Sequence, residues 1–277
     1  MATGAAPKTP RVLDEPAFVL QAHDWSESSQ IIEVLSRHHG RVVLVAKGVK
    51  RPTSQFRAVL LPFQRLLVSW GGDADVKTLK QATWQSGHVL PQGEALMSAY
   101  YLNELLLKLL ARDDPAPALF DHYGHTLQQL TGPSKRAEVL RAFELCLLQA
   151  AGYLPNLHEE ASSLSAVVPQ GSYRLVPDVG LQAVSQQSEW ACPGTLWLAL
   201  QAAFDDPATH APAPNGVVPA PMLERVLAVL AEAGLEHRSA LRHQLRVLLH
   251  YHSGVRTFQT RQLLLDLPRL QVSAPPH

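Results

Sequence analysis

Arg37, Arg41, Lys47, Lys50, Arg51, Arg57 and Arg65 fall within a stretch that contains no aspartate or glutamate. The chemistry open to such a run is neutralisation of a polyanion, because basic side chains displace the counterions that surround phosphates. Lys77 and Lys80 extend the charge. Trp25, Phe56, Phe63, Trp70 and Trp84 are interleaved with it, and an aromatic face accepts any base of a single strand. Lys47-Gly48-Val49-Lys50-Arg51-Pro52 reads as a loop in which glycine lets backbone approach a phosphate while its neighbours supply counter-charge. A solvated face and a set of core aromatics remain the plain alternative.

Whole-chain charge hides this arrangement. The 277 residues carry 24 basic and 24 acidic side chains, but eleven basic face seven acidic through Lys80 and thirteen face seventeen beyond it. A second acid-free tract, from His237 to Leu265, holds Arg238, Arg242, Arg246, Arg256 and Arg261. The first three recur every four residues and so share a helix face, which suits either a further DNA surface or a solvated one.

The elements that must position these charges change character along the chain. Met1 to Pro10 is small and polar, and reads as a disordered leader. Five β-type runs follow, at Ala17 to His23, Gln30 to Arg37, Arg41 to Gly48, Leu61 to Trp70 and Val76 to Trp84. His39-Gly40 and Gly71-Gly72 supply the turns between neighbours. Five strands in so short a span predict a small closed barrel of the oligonucleotide-binding (OB) type over 11–88, since an open sheet would leave edges to protect.

From Gln92 the apolar period becomes helical. Leu102, Leu105, Leu106 and Leu109 form one stripe, and Leu140, Phe143 and Leu147 form another in a helix that starts near Ser134 and stops at Gly152. Residues 156–190 form an irregular insertion with a hairpin around Pro177-Asp178. Residues 205–220 are a proline-rich loop, and helices follow from Pro221 and from about His237 to His252. The expected class is α+β, a five-stranded OB barrel over 11–88 followed by an all-α domain over 89–277.

Other chemistries find little support. No GxGxxG, GxxxxGK[ST] or GxSxG pattern occurs, so neither a nucleotide cradle nor a nucleophile elbow is visible. Ser26, Glu27, Asp73 and Asp75 could be imagined as a nuclease site, but they read more simply as turn and cap residues. Cys146 and Cys192 cannot by themselves make a four-thiolate zinc site, so no metal and no cofactor is expected. No apolar run is long enough to span a bilayer, and the cysteine count fits a reducing cytoplasm.

Trp25-Ser26-Glu27-Ser28-Ser29, then His39-Gly40-Arg41, then Val45-Ala46-Lys47-Gly48-Val49-Lys50-Arg51 resemble the N-terminal signature of the bacterial RecO recombination mediators. Leu61-Pro62-Phe63, Val76-Lys77-Thr78-Leu79, Tyr101-Leu102-Asn103-Glu104-Leu105, Arg141-Ala142-Phe143-Glu144-Leu145 with Gly152-Tyr153, and Tyr251-His252-Ser253-Gly254 follow in the family's order. The resemblance implies binding of single- and double-stranded DNA and annealing of complementary strands by a non-enzymatic, nucleoid-associated protein. With the partner RecR, such a protein helps RecA replace single-strand-binding protein on DNA. Many relatives carry a zinc module where 156–190 stands here, and this sequence lacks its cysteines.

Lys108, Arg112, Lys135, Arg136 and Arg141 lie beside the leucine stripes of the helical region. A basic-rimmed apolar groove suits an acidic peptide with a hydrophobic end, the character of the C-terminal tail of single-strand-binding protein. Arg141 sits in the segment where the resemblance places that contact.

Overall fold

The computed structural model of the chain describes residues 11–85, 87, 89–132, 136–205, 221–260 and 262. The expected leader lies outside the described residues, as does the expected loop over 205–220 except for Asp205, which is the last residue of a helix. Strands β1 (Arg11–Asp24), β2 (Gln30–Ser36), β3 (Gly40–Ala46), β4 (Arg65–Gly71) and β5 (Val76–Trp84) close into a barrel in the order β1-β2-β3-β5-β4. Its neighbours pair antiparallel except where Val43 to Val45 of β3 run parallel to Val76 to Thr78 of β5.

Strand periodicity explains the core. Ile32 and Val34, Val42, Leu44 and Ala46, and Leu66, Val68 and Trp70 are alternate residues that meet in one cluster, as a period of two requires. Phe18, Leu20, Leu35 and Val43 have the opposite parity and are buried as well. The wall formed by β1 to β3 is therefore covered on both sides, which is why these strands read as continuous apolar runs instead of alternating ones. A short helix α1 (Phe56–Val59) precedes Leu60, and Phe56 and Val59 pack against the core cluster.

The sequence places a single break near residue 88, but the contacts divide the chain differently. One unit comprises Met1–Pro91 with Leu110–Phe120, and the other Gln92–Leu109 with Asp121–His277. Leu110–Phe120 is spliced back onto the barrel. Arg112 forms a parallel bridge with Arg41, and the Asp113 N–H donates to the Arg41 carbonyl at 3.0 Å. Lys77 pairs with Asp113 at 2.7 Å, and the Phe120 ring lies 5.1 Å from that of Phe18. Gly40, at φ +67°, passes so close that an added Cβ would fall 2.0 Å from the Asp114 carbonyl oxygen.

The second unit is built on α2 (Glu94–Leu109), α3 (Pro117–Thr131, from Asp121 onward), α4 (Arg136–Ala150), α5 (Gly194–Asp205), α6 (Pro221–Glu232) and α7 (Leu235–Ser253). The leucine stripe of α2 is buried, as are Phe143 and Leu147 of α4. Helices α3 and α5 were not expected. The insertion forms the expected hairpin, β6 (Ser172–Val176) with β7 (Gly180–Val184), and β8 (Cys192–Pro193) adds a third strand to β6.

Hydrogen bonds fasten this insertion. Gln244 of α7, almost fully buried, accepts the Leu175 N–H at 2.5 Å and donates to the Trp190 carbonyl at 2.6 Å. Both cysteines are buried free thiols, and burial pushes each up to about 12.

Gly40→Ala is expected to destabilise the chain well beyond Gly152→Ala in urea unfolding. Both positions have positive φ, but nothing lies within 4 Å of a Cβ at Gly152. Strain alone then accounts for about 1 kcal/mol at Gly152, while Gly40 adds a backbone collision. Equal losses would show that the Asp114 contact is dispensable.

Candidate nucleic-acid interface

The loop Trp25 to Ser29 joins β1 to β2, and it is tightly wound. The Trp25 and Ser26 N–H groups both donate to the Ser29 carbonyl at 3.1 and 3.3 Å, and the Ser29 N–H donates to the Ser26 hydroxyl at 3.2 Å. The segment after β3 runs alongside it. There the Lys50 N–H donates to the Ser28 carbonyl at 3.0 Å, and the Lys50 ammonium meets the Asp24 carboxylate at 3.0 Å. That hydrogen bond, helped by one from Gln30, lowers the Asp24 pKa.

Gly48 adopts φ +71°, and the Arg51 N–H closes onto its carbonyl at 3.1 Å. The two loops thus enclose a concavity of about 390 Å³ lined by Trp25, Ser26, Ser29, Lys47, Gly48 and Arg51. Trp25 is 67% exposed, a high figure for an indole, and it lines the same concavity as two cations. Lys47 and Arg51 are exposed and make no ion pair among the described residues.

The nine basic residues expected from sequence do not form one surface. Arg57 and Lys80 are exposed like Lys47 and Arg51. Arg41 is not displayed: its side chain is 14% exposed and bonded at 2.9 Å to Glu33, whose other oxygen takes Arg112 at 2.9 Å. Lys77 is engaged by Asp113, and Arg65 lies with its guanidinium 5.6 Å from the centre of the Phe120 ring. Arg37 is half-buried with a guanidinium nitrogen 3.1 Å from the His38 ring. Among the aromatics, Trp84 is exposed like Trp25, Phe56 is half-buried, and Phe63 and Trp70 belong to the interior.

Residues imagined as a nuclease site have other positions. The Ser26 hydroxyl serves its own loop, and Glu27, Asp73 and Asp75 are exposed. Among the described residues, no group of three or more His, Cys, Asp or Glu side chains could hold a metal, and no helix is long and apolar enough to cross a membrane.

The helical unit has a groove of about 560 Å³ whose apolar wall includes Tyr101, Leu140, Leu249 and Phe258, with Arg141, Arg242 and Arg246 also lining it. Sequence reasoning assigned these arginines to two separate surfaces, but the fold brings them to one. Leu140, read as part of a buried stripe, is half-exposed at this wall.

The remaining basic residues scatter. Arg112 stands with the barrel and not beside the leucine stripes, Arg136 pairs with Glu94 at 2.5 Å, and Lys108 is exposed on α2. Arg238 is paired with Glu138, while Arg242, Arg246 and Arg256 are exposed. Lys135 and Arg261 lie outside the described residues. The stack of Trp190 on His243, with centroids 4.6 Å apart and planes 6° from parallel, was not anticipated. Residues 53 positions apart on a turn and a helix leave no periodic signal.

An OB-type barrel joined to a helical unit carrying a three-stranded sheet defines the class of this α+β protein. Residues 11–87 match the family described as Recombination protein O N terminal, and residues 90–177 match Recombination protein O C terminal. The chain is 48% identical over 266 residues to the DNA repair protein RecO of Variovorax paradoxus (strain S110), covering 94% of this chain and 98% of the relative. It is 47% identical over 264 residues to that of Polaromonas sp. (strain JS666 / ATCC BAA-500), at 95% and 99% coverage, and 47% identical over 266 residues to that of Delftia acidovorans (strain DSM 14801 / SPH-1), at 94% and 98%. The chain belongs to the RecO family of DNA repair proteins.

Lys47→Gln and Arg51→Gln are each expected to leave unfolding free energy within about 0.5 kcal/mol of the parent. Arg41→Gln is expected to cost about 2 kcal/mol, less than a fully stranded buried charge because Arg112 still holds Glu33. Urea unfolding checks this, and similar losses at all three positions would contradict the division into displayed and structural cations.

Proposed function

We propose that the chain is a non-enzymatic DNA repair and recombination mediator that binds DNA through its barrel, anneals complementary strands and recruits partners through its helical unit. The observation that carries this reading is the meeting of exposed Trp25 with unpaired Lys47 and Arg51 in one concavity. An aromatic face plus phosphate counter-charge is what sequence-independent binding of a single strand requires. Lys50, shared with Asp24, lies beside them, and Arg57 and Lys80 offer further phosphate contacts. Arg37 and Arg65 are weaker contributors because each has a neighbouring ring to engage it.

Annealing needs two strands held together. Arg242, Arg246 and Arg256, all exposed, are the candidates for a second cationic surface. The groove around Arg141 suits the acidic, hydrophobic-ended tail of single-strand-binding protein, a match of charge and apolar area. RecR is the expected partner in loading RecA, and the nucleoid the expected location. Neutralising phosphates needs no nucleotide hydrolysis.

Salt titration of oligonucleotide binding tests the reading. Contact with about five phosphates gives a log–log slope of about −3.5 for a single strand, and a flat response would sink it. Trp25→Ala is expected to weaken single-strand binding by about 1–3 kcal/mol. Reversing Lys47, Lys50 and Arg51 to Glu is expected to abolish it. Retention of DNA binding with loss of partner capture would instead mark the barrel as a protein-docking adaptor.

A further inference from the structure

Resting on the reading of the helical groove as a seat for an acidic peptide with a hydrophobic end, we propose that Glu144 is its positioning residue. It fixes the Arg141 guanidinium at the groove wall, so that the arginine acts as a directional donor to the peptide's terminal carboxylate. The geometry is local and specific. Glu144 and Arg141 lie three apart on α4, with the Glu144 side chain fully buried and that of Arg141 18% exposed. One guanidinium nitrogen donates to Glu144 Oε1 at 2.5 Å, and the Tyr101 hydroxyl, from α2, donates to the same oxygen at 2.8 Å.

Tyr101 in turn meets the Phe258 ring edge-on, with centroids 5.6 Å apart, and both rings line the groove. A single carboxylate therefore ties the apolar wall to the cationic one. The cluster is incompletely satisfied. Glu144 Oε2 and Arg141 Nε are both buried without a hydrogen-bond partner, whereas an ion pair kept for stability alone is normally saturated. Burial raises the Glu144 pKa, and the nearby Arg141 charge is the largest influence opposing it.

The electrostatic consequence separates attraction from recognition. Glu144 offsets the Arg141 charge at a distance, so exposed Arg242 and Arg246 supply the pull on an approaching polyanion. Arg141 then acts at hydrogen-bond range, where orientation decides the outcome. A peptide whose end carries a free carboxylate should be preferred over the same peptide with an amide end.

The probes are a fluorescent aspartate-rich peptide ending in phenylalanine with a free carboxylate, and its C-terminal amide, titrated into the full chain. The parent is expected to prefer the free acid by about tenfold, the size of one charge-assisted hydrogen bond. Glu144→Leu is expected to reduce that preference to about twofold or less. Glu144→Gln keeps an acceptor oxygen without the charge and should preserve the preference while tightening binding. Tyr101→Phe removes one ligand of Glu144 without touching Arg141, and should give an intermediate preference.

Nitrogen NMR of the Arg141 side chain gives an independent reading, because a pinned guanidinium shows resolved terminal nitrogens that merge when rotation is free. Failure of the parent to bind either peptide overturns the groove reading itself. Parental binding with a preference that Glu144→Leu and Tyr101→Phe both leave unchanged overturns the role of Glu144 alone. So does an Arg141 signal that stays pinned in a folded Glu144→Leu variant.

Discussion

Glu33 is a carboxylate on β2 of the barrel wall, and almost none of it reaches water. A charge in that position must be matched, because leaving it unpaired costs several kcal/mol. Arg41 approaches from the neighbouring strand β3 and Arg112 from a segment that follows α2 in sequence. This one requirement has two effects. It removes Arg41 from the surface charge that sequence alone assigns to a polyanion, and it recruits Leu110–Phe120 to complete the barrel unit. Around it, Asp113 engages Lys77 and Gly40 makes room for Asp114.

What was legible in the sequence follows from how local each signal is. The five strands, their turns and the helices α2, α4, α6 and α7 announce themselves through a steady apolar period or a glycine stop. Helix α3 was missed because Pro117, His122, Gly124, His125 and Thr126 dilute its propensity, although Leu119, Phe120, Tyr123, Leu127 and Leu130 are all buried. Helix α5, GTLWLALQAAFD, is short and apolar on most sides, so its period carries little contrast. Tertiary burial forms both helices, and propensity does not see it.

The candidate interface shows the same division. Composition picks out the cations only as a group, and charge type alone does not reveal which of them meet carboxylates elsewhere in the chain. Arg41 and Lys77 are satisfied by partners 8 and 36 positions away. Lys47 and Arg51 escape because they lie in the turn that follows the last residue of β3, where both are exposed. In the helical unit, the grouping of Arg141 with Arg242 and Arg246 depends on how α4 faces α7, which no run of adjacent residues encodes. One polar cluster there gives the groove its direction: Tyr101, Arg141 and Glu144 meet at a single carboxylate oxygen.

The splice of Leu110–Phe120 has a consequence for synthesis. A ribosome delivers β1 to β5 in order, yet the partner of Arg41 on the free side of β3 is more than twenty-five residues beyond the last strand. Until Arg112 and Asp113 have left the exit tunnel, the nascent barrel holds a buried carboxylate with half its counter-charge and an Arg41 carbonyl without the Asp113 N–H. Such an interval is when neighbouring chains on a polysome can pair edge to edge. The rate at which α2 emerges and folds therefore sets how long the newborn barrel stays open to the wrong partner.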